Sequence, residues 1–130
     1  MACQDHDRRA CRVLIVEDEY FLAADLELAL REEGAQVVGP IADLSAALAQ
    51  VDRDGFDAAV LDINLHDEHA YSIADKLVEH GVPFVFATGY SAEVLPDRFS
   101  EVERFEKPYD VHAIAKKIAE LGRLRRDPVS

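Results

Sequence analysis

The chain has 130 residues, with 14 basic against 26 acidic side chains and a formal charge of −12. That length suits one domain, and a hydrophobic share of 49% is enough to bury a core, which argues against wholesale disorder. The negative balance argues against nonspecific binding to nucleic acid or anionic lipid and favours cationic partners or a divalent metal.

No apolar run approaches the roughly 18–20 residues of a membrane span. The polar start, Met1 to Cys11, lacks the pattern of a secretory signal peptide. A cytoplasmic, reducing setting is therefore expected, with Cys3 and Cys11 as free thiols ahead of the first strand. Cys3, His6 and Cys11 match no paired zinc-ligand spacing.

The chain alternates two periodicities. Arg12 to Val16 is a β-branched run that ends in Glu17-Asp18-Glu19. Leu22, Leu26, Ala29 and Leu30 follow at helical spacing, with Gly34 as a stop signal. Gln36 to Gly39 reads as a short strand, and Asp43 as the N-cap of a helix carrying Leu44, Ala47, Leu48 and Val51. Asp57 to Leu61 is a buried type of strand that ends at Asp62. A third helix carries Ala70, Ile73, Ala74, Leu77 and Val78 and closes at Gly81. Pro83 to Ala87 is a fourth strand, ending at Thr88-Gly89.

The next stretch is less regular. Ser91 to Leu95 has room for a turn or two of helix before Pro96 interrupts it, and only Val94 and Leu95 stand out as anchors. The fourth helix is therefore expected to be short or irregular. Glu103 to Glu106 is a weak strand leading into Lys107-Pro108. Asp110 caps a last helix with Val111, Ile114, Ile118 and Leu121 on one stripe. Arg123, Arg125 and Arg126 fall near its negative dipole end.

Strict alternation of strand and helix, with continuous Val, Ile and Leu in the strands, predicts a parallel sheet covered on both faces. In such sheets ligands bind beyond the carboxyl ends of the strands. That rule gathers Glu17, Asp18, Asp62, Thr88 and Lys107 at one edge. Clustered carboxylates about 5 Å apart repel by roughly 3 kcal/mol at an effective dielectric near 20, so the cluster calls for a cation. Hard oxygen ligands with open positions suit Mg²⁺. A carboxylate there can attack phosphorus if cationic groups neutralise the equatorial oxygens. Asp62 is the nucleophile of choice, Lys107 pairs with one phosphoryl oxygen, and Thr88 donates to another.

The order Glu17-Asp18, Asp62, Thr88, Lys107-Pro108 resembles the receiver domain of two-component response regulators, from about Arg12 to Leu124. The resemblance implies a flavodoxin-like α/β fold, with five parallel strands in the order 2-1-3-4-5 and about five helices. It implies a tail over 1–11, a receiver over 12–124 and a tail over 125–130. It implies that Asp62 is the phosphoacceptor, taking its phosphoryl group from a histidine kinase or a phosphotransfer protein. Asp18 and Asp62 would then hold Mg²⁺ directly, Glu17 through water, and Asn64 by its backbone carbonyl. The segment Pro83 to Tyr90, PFVFATGY, resembles the subclass of often stand-alone receivers paired with HWE-type kinases. Where most receivers carry an aromatic switch residue, three before the lysine, this chain has Arg104, and neighbouring Phe105 should point to the opposite face.

Two alternatives compete. An aspartate-nucleophile phosphohydrolase of the haloacid dehalogenase type wants a second aspartate two residues on, where this chain has Asn64. A docking module that takes no phosphate is opposed by the intact set of site residues. The first reading makes the protein no enzyme beyond labelling and clearing its own Asp62, and with no output domain after the last helix it would act through protein partners. His66 and His69 form a loop pair without an evident third ligand.

Overall fold

A computed structural model describes residues 11–53, 55–65, 68–89 and 95–126. The described residues form seven strands: β1 (Arg12–Val16), β2 (Gln36–Ile41), β3 (Ala58–Asp62), β4 (Asn64–Leu65), β5 (Glu68–His69), β6 (Phe84–Thr88) and β7 (Arg104–Glu106). The described helices are α1 (Tyr20–Glu32), α2 (Leu44–Arg53), α3 (Tyr71–Glu79) and α4 (Val111–Arg126), with a 3-10 turn at Asp97–Phe99. The main sheet is parallel in the order β2-β1-β3-β6-β7. Counting only its own five strands, that is the expected 2-1-3-4-5. The small antiparallel hairpin β4–β5 follows β3 and has no counterpart in the periodicity.

Each central strand buries both faces, because alternate side chains feed separate layers. Leu14, Val16, Ala59, Leu61, Phe84 and Phe86 join the α2 and α3 layer with Ala47, Val51, Ile73 and Leu77. Val13, Ile15, Ala58, Val60 and Val85 join the α1 and α4 layer with Leu26, Leu30, Ile114 and Ile118. Val78 is exposed because Ala70, Ile73, Ala74 and Leu77 already complete the buried stripe of α3.

The caps form as expected. Asp43 Oδ2 accepts from Ala46 N at 2.8 Å, and Asp110 Oδ1 accepts from His112 N at 2.9 Å. Gly34 and Gly81 follow α1 and α3 at positive φ, which makes them good stops.

Three features differ from expectation. Cys11 is buried and disulfide-bonded rather than a free thiol. Its Cβ packs within reach of Gly122 on α4, so it belongs to the packed edge; the other cysteine, Cys3, lies outside the described residues. At the far end α4 runs through Arg126, and Arg125 donates to the carbonyls of Gly81, Phe56 and His80 at 2.9, 3.2 and 3.2 Å. That arginine ties the loops before two strands to the helix instead of sitting in a tail. Between Thr88 and Lys107, the fourth helix was expected over Ser91 to Leu95, of which 91–94 lie outside the described residues. The buried anchor of this stretch is Phe99, which the periodicity did not single out. Its ring lies 5.6 Å from Phe86 and 5.9 Å from Tyr71, edge-on and tilted respectively.

Candidate functional site

The carboxyl ends of β1, β3 and β6 deliver the site. One residue beyond β1, Glu17 keeps the facing of Val13 and Ile15, and its N–H still bonds to Ile41 O at 3.0 Å. Asp62 ends β3 on the same alternation as Ala58 and Val60. Thr88 ends β6. All three are buried, at 3%, 3% and 1% exposure. Lys107 follows β7 and is fixed by its own N–H, which donates to Thr88 O at 2.7 Å.

The Lys107 ammonium sits among three carboxylates. Its Nζ lies 3.1 Å from Glu17 Oε2, 3.2 Å from Asp62 Oδ2 and 3.3 Å from Glu19 Oε2. The other oxygen of Asp62 accepts from Asn64 N at 3.1 Å, which sets the plane of the carboxylate. Glu17 Oε2 also accepts from Glu19 N at 3.0 Å. Glu17, Asp18 and Asp62 each offer one ligand atom, all within 4.8 Å of one another.

Four acids against one ammonium leave an excess of negative charge, and the titration of Asp62 records it. Burial first, then the Glu17 carboxylate and a hydrogen bond shared with it, push Asp62 up to about 8. Lys107 pulls in the opposite direction. Burial alone would lower the Lys107 pKa, but Asp62 and Glu17 outweigh it and raise it, so the ammonium stays charged. Without a second cation, Asp62 therefore tends to hold a proton at neutral pH. A divalent ion would replace that proton. The donor set is all oxygen, which fits a hard cation such as Mg²⁺.

The site opens into a cleft of about 840 Å³ whose lining includes Asp18, Glu19, Asp62, Asn64, Lys107 and Tyr109. Every residue expected at the site is therefore at this edge of the sheet. Glu19 and Tyr109 were missed. Glu19 was visible as the third acid of its run, and only the turn into α1 carries it back to Lys107. Arg104 is exposed, while Phe105 is half-buried against the α1 and α4 layer, so the two do point apart. His66 lies outside the described residues.

A doubly wound sheet with an acid-rich, lysine-paired cleft at the carboxyl ends of its strands defines a receiver-type protein. The sequence profile of the response regulator receiver domain matches residues 13–119, and the chain belongs to that family. CutR of Streptomyces coelicolor, a transcriptional regulatory protein, is 31% identical over 123 residues, 91% of this chain and 56% of CutR. The sensory transduction protein RegX3 of Mycobacterium tuberculosis is 37% identical over 83 residues, 63% of this chain and 36% of RegX3. The chain thus spans about half the length, or less, of these curated relatives.

Among solved structures, SdrG from Sphingomonas melonis Fr1 superposes with a TM-score of 0.75 at 38% identity, covering 86% of this chain and 96% of SdrG. The BeF3-activated conformation of SdrG from Pseudomonas melonis Fr1 gives 0.69 at 36% identity, over 87% and 98%. A CheY-like receiver domain protein from Methanospirillum hungatei JF-1 gives 0.77 at 24% identity, over 92% and 98%, which speaks to the fold alone.

Proposed function

We propose that this chain is a phosphoacceptor of two-component signalling that takes a phosphoryl group on Asp62. The observation that carries the reading is the buried Asp62 carboxylate, held by Asn64 N and paired with Lys107 Nζ at 3.2 Å, inside the Glu17–Asp18–Asp62 cluster. Receiver domains take their phosphate from histidine kinases or phosphotransfer proteins. In the transfer an Asp62 oxygen forms a bond to phosphorus, and the bond from phosphorus to the donor nitrogen breaks with its electron pair staying on the imidazole. Water later attacks the phosphorus and the acyl–phosphate bond breaks, which returns the carboxylate and releases inorganic phosphate. No external substrate is turned over.

Asp18 and Asp62 would hold Mg²⁺ directly, with Glu17 through water and the Asn64 carbonyl completing the protein ligands. The ion supplies charge neutralisation at the phosphoryl oxygens. Lys107 offers an ammonium to one of those oxygens, and Thr88 a hydroxyl to another. The PFVFATGY segment supports a receiver of the often stand-alone kind served by an HWE-type kinase, on the cytoplasmic side where such donors work. Incubation with acetyl phosphate and Mg²⁺, read by intact mass, tests the reading. One phosphoryl group gained by the wild type and none by Asp62→Asn is the expected result. No gain in the wild type would leave a docking module, and continuous release of phosphate from added phosphate esters would indicate a phosphohydrolase.

A further inference from the structure

Tyr109 stands two residues past Lys107 and lines the same cleft as Asp62 and Asn64. Its ring packs on the α1 and α4 layer of the core. Its hydroxyl is buried and has no hydrogen-bond partner among the described residues. Such an orphan is costly, and a phenylalanine would avoid it. Burial first, then Glu17, Asp62 and Glu19, hold the phenol pKa above its ordinary value, so the group stays a donor. An obligate donor thus sits within the wall of an acid-rich cleft without bonding to any acid among the described residues.

The missing part is an acceptor, and the chemistry of the cleft narrows the choice. A hydrated cation turns water hydrogens outward and spends the oxygen lone pair on the metal, so it offers little to an O–H donor. A tetrahedral phosphoryl group brings three anionic oxygens, and the protein donors assigned to them so far are Lys107 and Thr88. Resting on the reading of Asp62 as phosphoacceptor, we propose that Tyr109 Oη donates a hydrogen bond to an oxygen of the phosphoryl group on Asp62. The proton stays on Tyr109 throughout, and the bond holds the phosphoryl group without taking part in its transfer.

Tyr109→Phe removes only the oxygen that has no partner, so the fold should tolerate it. The probes are Mg²⁺ alone, beryllium trifluoride at saturating Mg²⁺ (its fluorines standing in for the phosphoryl oxygens), and the phosphoryl group gained from acetyl phosphate. The variant is expected to bind Mg²⁺ within twofold of wild type. It should bind beryllium trifluoride about tenfold or more weakly, as for one hydrogen bond to a charged group. It should also show a smaller thermal gain on binding the analogue, with an unliganded midpoint equal to or above that of wild type. Wild-type affinity for the analogue would overturn the assignment, and so would a parallel loss of Mg²⁺ affinity, which would mean that Tyr109 orients the carboxylates. A wild type that gains no phosphoryl mass defeats the phosphoacceptor reading itself, a separate result from an unchanged variant.

Discussion

At the scale of single residues, Asp62 is poised by two opposing neighbours. Glu17 makes its negative charge costly and Lys107 makes it tolerable. Asp62→Asn keeps the shape and removes the group whose ionisation burial and Glu17 oppose. Without metal it should melt higher than wild type, by on the order of 1 kcal/mol in stability, while gaining no phosphoryl mass. Melting below wild type would show that the Lys107 ion pair outweighs the repulsion. Lys107→Met removes the only cation within bonding distance of both buried acids among the described residues. The Asp62 pKa should then move above its value of about 8, as read from the carboxyl carbon by NMR titration. A lower value would contradict the account of the site.

Whole elements show how tightly the layers close. Gly122 lies inside α4, and a Cβ placed there would sit 3.5 Å from Asp57 Cβ and 3.7 Å from the Cβ atoms of Ala58 and Cys11, ordinary contact distances. Gly122→Ala should therefore stabilise by about 0.5–1 kcal/mol through helix propensity, visible in a denaturant midpoint. A loss would mean that α4 must retreat from the sheet. The stretch before β7 depends on Phe99, which is seated against Phe84 and Phe86 of β6. Arg98 reaches across to Asp75 on α3 at 2.8 Å and lies over the Phe99 ring at 4.6 Å. Phe99→Ala should cost about 3–5 kcal/mol if this packing holds the segment, against little change if the turn is merely laid on the surface.

For the molecule as a whole, the acidic site makes stability depend on pH in an uncommon direction for a carboxylate. The Asp62 pKa is raised in the folded protein, from 3.8 to about 8. Between those values the native state binds more protons than the unfolded chain. The contribution of Asp62 is therefore fully present below about pH 4 and is lost as pH rises through about 8, with a slope of at most about 1.4 kcal/mol per unit. Denaturation at several pH values without metal should show this decline, and Asp62→Asn should flatten it; a wild type as steep as its variant would refute the assignment. Mg²⁺ should offset the loss increasingly toward high pH, because it takes the place of the proton on Asp62, and a chelator should restore the decline.

The five strands of the main sheet, the caps at Asp43 and Asp110 and the gathering of Glu17, Asp18, Asp62, Thr88 and Lys107 were all legible in the chain. Buried strands, N-caps and strand-end acids are local patterns, and the alternation of strand and helix leaves few topologies. Other features depended on residues far apart in sequence. Cys11 reads as tail until α4 packs over it at Gly122, and Arg125 reads as tail until three distant carbonyls surround it. Phe99 has no periodic partner, because its neighbours lie on β6 and α3. Glu19 and Tyr109 join the site through a turn and a cleft wall that no spacing encodes. Composition and periodicity determined which elements form and which edge holds the chemistry. Only the tertiary structure decided how one ammonium is shared among three carboxylates and which hydroxyl is left without an acceptor, since both depend on contacts that exist only once the sheet has brought its ends together.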